Sequence, residues 1–231
     1  MRAMILAAGR GERMRPLTDH TPKVLLEAGG KPLLQWHVEK LAQVAIEPIV
    51  INHAWLGEQI ERRLGDGSRF GTRLVYSRER EALDTAGGIA NALPLLGDEP
   101  FLVINGDVFT DLDFASLRPH WHALRAGHLL AHLLLVDNPP HHMAGDFALS
   151  GDRVHSEGEP RLTFSGIGLY HPDLFAAVVP GQPAPLAPLL RTAMARAAVT
   201  GQRYPGLWVD VGTPERLEDL NRRLAPNGGL T

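Results

Sequence analysis

The chain has 231 residues, 44% hydrophobic and 21% charged, with 23 Lys and Arg against 26 Asp and Glu and a net charge of −3. Such a length and composition suit one good-sized α/β domain with a substantial core, and the slightly acidic balance argues against a general nucleic-acid or membrane surface. The absence of cysteine excludes disulfides, thiol nucleophiles and cysteine metal ligands, no apolar run approaches the ~20 residues of a membrane span, and nothing at the N-terminus reads as a signal peptide, so the cytoplasm is the default expectation.

Residues 3–8 form a short apolar run that reads as a buried strand, and Gly9 and Gly11 follow at once. Glycines there let backbone N–H groups approach an anion without obstruction by Cβ. Arg10, Arg13, Arg15 and Lys23 supply charge, and Pro16 and Pro22 stiffen the loop. Among the first 31 residues, the basic Arg2, Arg10, Arg13, Arg15, Lys23 and Lys31 face only Glu12, Asp19 and Glu27, so the segment is locally basic and suits a small polyanion such as a triphosphate. The spacing excludes a P-loop, because no Lys-Ser or Lys-Thr follows the glycines, and a dinucleotide fingerprint, because Met14 stands where a third glycine is needed.

Residues 32–44 read as a helix with Leu34, Val38, Leu41 and Ala45 on one face, and 48–52 as a second buried strand. Leu56, Ile60 and Leu64 mark the next helix and 72–77 a third strand, giving the β-α-β-α-β rhythm of a parallel sheet. Gly87 and Gly88 are expected where a helix begins, with Ile89, Leu93 and Leu96 as its apolar face; locally they fit a close ligand and a plain turn equally well. Residues 101–105 form a fourth strand, so Asp107 falls just beyond its carboxyl end, where open α/β sheets bind ligands. Asp111 and Asp113 read as turn and capping residues.

A polar, histidine-rich helix then leads to a strand at 128–136. The pairs His120/His122 and His141/His142 lack metal-ligand spacing, and the histidines are expected to be solvated. Segments 145–149 and 162–170 suggest short antiparallel strands, 180–188 is a proline-rich loop, 186–197 a helix and 206–211 a last strand. Thr213 is placed to cap a closing helix, with Pro214 in its first turn and Leu217, Leu220 and Leu224 on its buried face; a tail is expected at 225–231.

The string AAGRGERMRPLTDHTPKVL, residues 7–25, resembles the signature loop of the sugar-1-phosphate nucleotidyltransferases. Further matches follow in family order: TAGG around Gly87 and Gly88, NGD at Asp107 and VDVGT at Asp210. The resemblance implies an α/β fold, a Rossmann-like three-layer αβα sandwich with a mixed, mainly parallel central sheet and a small antiparallel sugar-binding subdomain. It implies one domain over 1–224, with the nucleotide part mainly in 1–115 and the sugar part mainly in 139–212. It also implies that Ala8, Gly9, Arg10, Gly11, Glu12, Arg13 and Lys23 bind the nucleotide, with Arg13 and Lys23 as the catalytic cations. Gly87 and Gly88 would lie against the base and Asn105 would contact the nucleotide. Asp107 and Asp210 would hold Mg²⁺, and Gly145, Asp146, Ser165 and Gly166 would bind the sugar.

The chemistry accounts for these residue types. A sugar 1-phosphate attacks the α-phosphorus of a nucleoside triphosphate, so two anions must meet while charge builds on the leaving pyrophosphate; cations and positioning are needed, and a protein nucleophile is not. Strings such as INGDVFTD and TFSGIGLYHPDLF resemble the branch that joins UTP to N-acetylmuramate 1-phosphate in cell-wall recycling. In that branch His141, His142 and Arg153 lie in the segment expected to meet the lactyl carboxylate. Two departures stand out: no lysine accompanies Glu157–Pro160 where relatives carry Glu-Lys-Pro, and Ala86 replaces a glycine of the branch. They keep a guanylyltransferase acting on mannose or heptose 1-phosphate as the alternative activity, with Glu81 or Asp84 as acceptors for the base. A regulatory nucleotide-sugar-binding module is the non-enzymatic alternative.

Overall fold

A computed structural model describes residues 1–225. All but the first residue of the expected tail therefore lies outside the described residues.

The chain opens with β1 (Arg2–Leu6), crosses the glycine loop and makes a small hairpin of β2 (Glu27–Ala28) and β3 (Lys31–Pro32) before α1 (Leu33–Gln43). Then come β4 (Ile49–His53), α2 (Gly57–Leu64), β5 (Leu74–Arg78), α3 (Asp84–Leu96), β6 (Phe101–Asn105) and β7 (Val108–Thr110). Strands β5, β4, β1 and β6 lie side by side in that order and pair in parallel, with Ile5 opposite both Ile51 and Ile104. Largely apolar runs make β4, β1 and β6 because both of their faces are covered, while β5 is the part-exposed edge strand. Ala3, Ile5, Ile49, Ile51, Leu102 and Ile104 point to one face and pack on Leu34, Val38, Leu41 and Ile60. Met4, Val50, Phe101 and Val103 point to the other and pack on Ile89 and Leu96 of α3. This period-two alternation produces the three layers. Ala45 is not on the buried face of α1: the helix stops at Gln43, Ala45 turns outward at φ +51°, and Ile46 fills the core position.

The second half comprises α4 (Arg118–Arg125), β8 (Ala131–Val136), β9 (Phe147–Ser150), β10 (Arg153–His155), β11 (Arg161–Tyr170), α5 (Leu186–Met194), β12 (Val199–Arg203), β13 (Trp208–Asp210) and α6 (Pro214–Leu224). The long strand β11 joins the halves. Its Ile167–Tyr170 end runs antiparallel to β6, and its Arg161–Leu162 end pairs with β9 along the same edge. Its other edge carries β8, beyond which follow β12, β10 and β9, so the sheet curls back onto β11. The pairing register shifts between Phe164 and Gly168, where Gly166 adopts φ +76°. This bulge falls between the stretch of β11 that pairs with β9 and the stretch that pairs with β6.

The antiparallel strands are thus continuous with the central sheet, whose parallel pairings are β1–β4, β1–β6, β4–β5 and β8–β12. Strand β12 was not expected, because its sequence VTGQR carries little apolar signal. The expected last strand is shortened to β13, which leaves the main sheet to pair with β7. Thr213 caps α6 by accepting from Arg216 N, and Asp113 caps the turn at Phe114–Leu117 by accepting from Ala115 N, both as read from the sequence.

A third apolar cluster of Met14, Leu33, Phe109, Val211, Leu217 and Leu220 ties the glycine loop, β7, β13 and α6 together. Met14 is fully buried there, and burying such a side chain contributes roughly 1.5–3 kcal/mol. The residue that breaks the dinucleotide fingerprint therefore anchors this loop to the body of the protein.

Candidate functional site

The loop after β1 is held open by named contacts. Ala7 N donates to Asn52 Oδ1 at 2.9 Å, Asn52 Nδ2 donates to Glu79 Oε1 at 2.7 Å, and Glu79 Oε2 accepts from Leu83 N at 3.1 Å. Burial holds the Glu79 carboxyl above the usual carboxylate range. This relay locks the end of β4 and the approach to α3 against the loop. Gly11 takes φ +71°, and its carbonyl accepts from the Thr18 hydroxyl at 2.9 Å. A Cβ on Gly9 would meet nothing within 4 Å, so the backbone there faces open space. Leu6, Ala7, Ala8, Gly9, Asn52 and Thr85, with Lys23, Asn105 and Asp107, enclose a cavity of about 250 Å³.

Lys23 is nearly buried, and its Nζ lies 2.5 Å from Asp107 Oδ2. Asp107 follows β6 through Gly106, where a Cβ would lie 2.7 Å from Leu6 O; glycine lets the strand ends meet closely. The Asp107 carbonyl accepts from Val211 N at 2.9 Å, which draws the end of β13 alongside, and Asp210 is paired in register with Val108. The two aspartates, 103 positions apart by their numbers, thereby line one cavity of about 390 Å³ with Arg13, Asn105, His141 and residues 163–166. Asn105 and Asp107 line both cavities, so the two open onto each other at the end of β6.

Asp210 Oδ2 accepts from Arg216 Nη1 at 2.5 Å, and the same nitrogen donates to His141 Nε2 at 2.8 Å. Each aspartate thus has Oδ2 on a cation, while Oδ1 of each makes no hydrogen bond among the described residues. Among those residues no group of three or more His, Asp or Glu side chains is gathered to hold a metal alone. Two carboxylates facing a shared cavity are nonetheless a fitting donor set for a hard divalent cation that takes its remaining oxygens from phosphates and water.

Other expected site residues fall into two groups. Ala8, Gly9, Arg13, Lys23, Asn105, Asp107, Ser165, Gly166 and Asp210 line the joined cavities. Arg10 instead stacks its guanidinium 3.8 Å from the Trp55 ring centre and pairs with Glu12 at 2.9 Å, so both side chains are engaged at the rim. Gly87 and Gly88 lie inside α3, which begins at Asp84, and not at its start. A Cβ on Gly87 would sit 2.4 Å from Gln182 O, and one on Gly88 2.8 Å from Asn52 Nδ2. The N–H groups of Ala86 and Gly87 both donate to Ala184 O, so these two donors are taken by the proline-rich loop.

In the second half, the Ser165 hydroxyl donates to Leu134 O and is buried in the sheet, leaving backbone to face the cavity. Gly166 allows the Asn105 side chain to lie across β11, since a Cβ would be 2.5 Å from Asn105 Nδ2. Asp146 braces the cavity from behind: Oδ2 accepts from Phe164 N at 2.8 Å and Oδ1 meets His142 Nε2 at 3.0 Å. Gly145, at φ +62°, packs against the Arg161 backbone. Arg153 points elsewhere, donating to Ala197 O on the far side of β10.

The histidines depart from the solvated expectation at three positions: His37, His53 and His132 are buried. Burial brings both His37 and His132 down to about 4, so they are neutral near pH 7. Sequence reasoning missed Asn52, Glu79, Trp208 and Arg216. Asn52 stands at the carboxyl end of β4, where the strand-end rule applied to Asp107 would have found it.

The nucleotidyl transferase family profile matches residues 2–145. A Neisseria meningitidis serogroup B protein named N-acetylmuramate alpha-1-phosphate uridylyltransferase is 56% identical over 223 residues, which span 95% of this chain and 96% of that one. A Caulobacter vibrioides protein of the same name is 34% identical over 96% of both chains. A Danio rerio mannose-1-phosphate guanylyltransferase catalytic subunit beta is 31% identical over 93% of this chain and 62% of its own. In fold, a solved Bacillus anthracis structure described as a glucose-1-phosphate thymidylyltransferase superposes with a TM-score of 0.85 over 98% of this chain and 96% of that one, at 24% identity. A chain matched by the family over more than half its length, and almost end to end by a relative at 56% identity, belongs to the nucleotidyl transferase family and is a nucleotidyltransferase.

Proposed function

We propose that this enzyme transfers the uridylyl group of UTP to N-acetylmuramate 1-phosphate, forming UDP-N-acetylmuramate and releasing pyrophosphate. The observation that carries this reading is the pair of cavities meeting at Asn105 and Asp107, one framed by the glycine loop and one by residues 163–166, in a chain 56% identical to the Neisseria relative. The first cavity would hold the nucleotide. Backbone N–H groups of residues 8–11 would face its phosphates, and Lys23, displaced from Asp107, would meet the transferring phosphate. Arg13 would neutralise the departing pyrophosphate. The second cavity would hold the acceptor, with its phosphate toward Asp107 and its ring against Trp208 and Gly166. Mg²⁺ held by Asp107 and Asp210 would neutralise charge on the reacting phosphates. The acceptor phosphate is already ionised, so no residue need act as a base. Trp208 is fixed for its role because its indole N–H donates to Ser165 O at 2.9 Å.

A pyrophosphate-release assay over four nucleoside triphosphates and a panel of sugar 1-phosphates tests the reading. The highest kcat/KM is expected for UTP with N-acetylmuramate 1-phosphate. A higher value for GTP with mannose 1-phosphate would replace it with the guanylyltransferase activity, and nucleotide binding without turnover on any acceptor would make the chain a regulatory module.

A further inference from the structure

A cavity of about 640 Å³ lies on the far side of His141, Trp208 and Asp210, which it shares with the acceptor cavity. The two spaces therefore adjoin at these three residues. Much of the side cavity is apolar, with Val136, Pro139, Pro140 and Leu220 in its lining. One side is a face of α6, where Arg216, Leu220 and Arg223 recur at helical spacing.

The charges on this lining are nearly all spoken for. Asp137 receives two hydrogen bonds from Arg203, at 2.7 and 2.6 Å. Asp219 is paired with Arg222, and Arg216 is shared between Asp210 and His141. Arg223 has no ion-pair partner among the described residues. The Arg216 guanidinium folds back onto Asp210 over Gly212, where a Cβ would come 2.5 Å from its Nη2. A largely apolar cavity, lined at its exposed edge by one guanidinium without an ion-pair partner among the described residues and by a second where it adjoins the acceptor cavity, matches a ligand group that is small, partly apolar and carboxylate-bearing, because the planar fork binds carboxylate through two parallel hydrogen bonds.

We propose that this side cavity is a second acceptor subsite, which takes an acidic substituent of the sugar ring and binds its carboxylate through Arg223, with Arg216 where it adjoins the acceptor cavity. The inference rests on the uridylyltransferase reading, in which the acceptor carries a lactyl ether. Arg153 donates to Ala197 O and His142 is engaged by Asp146, so neither of these expected cations is free for that carboxylate.

The test compares three acceptors with saturating UTP: N-acetylmuramate 1-phosphate, its neutral lactamide, and N-acetylglucosamine 1-phosphate, which lacks the ether. The wild type is expected to favour the acid over the lactamide by about 10- to 100-fold in kcat/KM, the worth of one charge-assisted contact. Arg223→Met should remove most of that preference through KM, Arg223→Glu should reverse it, and Arg223→Lys should restore a large part. Arg223 is exposed on α6, so the thermal midpoints of all three variants should match the wild type. If the wild type favours the acid and Arg223→Met keeps that preference undiminished, the subsite is wrong while the uridylyltransferase reading stands. If the wild type itself favours N-acetylglucosamine 1-phosphate, that reading fails and the subsite with it.

Discussion

The two halves of the sheet build their parts of the site differently. On the β5-β4-β1-β6 side, the residues facing the first cavity sit at carboxyl ends of parallel strands, in the loop after β1 or at the start of α3, close in sequence to the apolar runs that place them. On the curled β11-β8-β12-β10-β9 side, the second cavity is assembled from a loop at 141–142, a bulge at 163–166 and a strand that has left the main sheet to pair with β7. The contrast shows that the first cavity follows local motifs whereas the second depends on long-range packing. The two ion pairs run the other way: Lys23–Asp107 joins residues 84 positions apart within the first half, whereas Arg216–Asp210 joins residues only 6 apart in the last strand and helix.

The largest expected effect tests whether the halves share one reaction centre. Asp107→Ala and Asp210→Ala should each lower kcat about 1,000-fold or more, equivalent to about 4 kcal/mol of transition-state stabilisation, and each should weaken Mn²⁺ binding measured by electron paramagnetic resonance. If only one variant showed both losses, the other aspartate would serve packing and capping alone.

Next come the phosphate cations. Lys23→Met should cost about 100-fold in kcat, because a fixed charge in a water-poor site is worth far more than one in solvent. Arg13 is exposed, so Arg13→Met should cost only about tenfold. Equal losses, measured by single-turnover kinetics, would place Arg13 as deep in the site as Lys23.

The pH dependence of stability compares the halves directly, since each holds one histidine that burial brings down to about 4: His37 on α1 and His132 on β8. Their folded values of about 4 lie below the unfolded 6.5, so the unfolded chain binds more protons between those limits. Stability should therefore fall as pH drops from 6.5 through 4, by about 2 kcal/mol per histidine between pH 7.5 and 5. Urea titrations at both pH values should show His132→Gln flattening the slope by one histidine's share. Two separate transitions at pH 5 would mean that the halves unfold independently.

The smallest effect separates glycines that face open space from glycines that pack. Gly88→Ala drives a Cβ into Asn52 and Glu79 and should destabilise by about 1–3 kcal/mol. Gly9→Ala meets no protein atom, so it should leave the unfolding midpoint within about 0.5 kcal/mol of wild type while raising KM for the nucleotide. A nucleotide effect from Gly88→Ala without any loss of stability would return that glycine to the base site.

Much of the fold and part of the site could be read from sequence alone. The strands β1, β4 and β6 announce themselves because a strand buried on both faces is largely apolar, and the edge strand β5 follows from its place in the β-α-β rhythm. The glycine loop, Asp107 and the Thr213 cap are legible because each role is set within a few residues of backbone. Tertiary structure decided the rest. Nothing local distinguishes Gly87 and Gly88 as packing residues, because the carbonyl that meets their helix comes from Ala184, about a hundred positions later. VTGQR becomes a strand only because β8 and β10 offer it edges on both sides. The convergence of Asp107 with Asp210, the clasp of Arg216 over Gly212 and the chamber beneath α6 likewise depend on β13 leaving the main sheet for β7. Local pattern specifies which backbone can form and where an anion can approach it; which side chains meet across a hundred residues is set by how the buried faces pack.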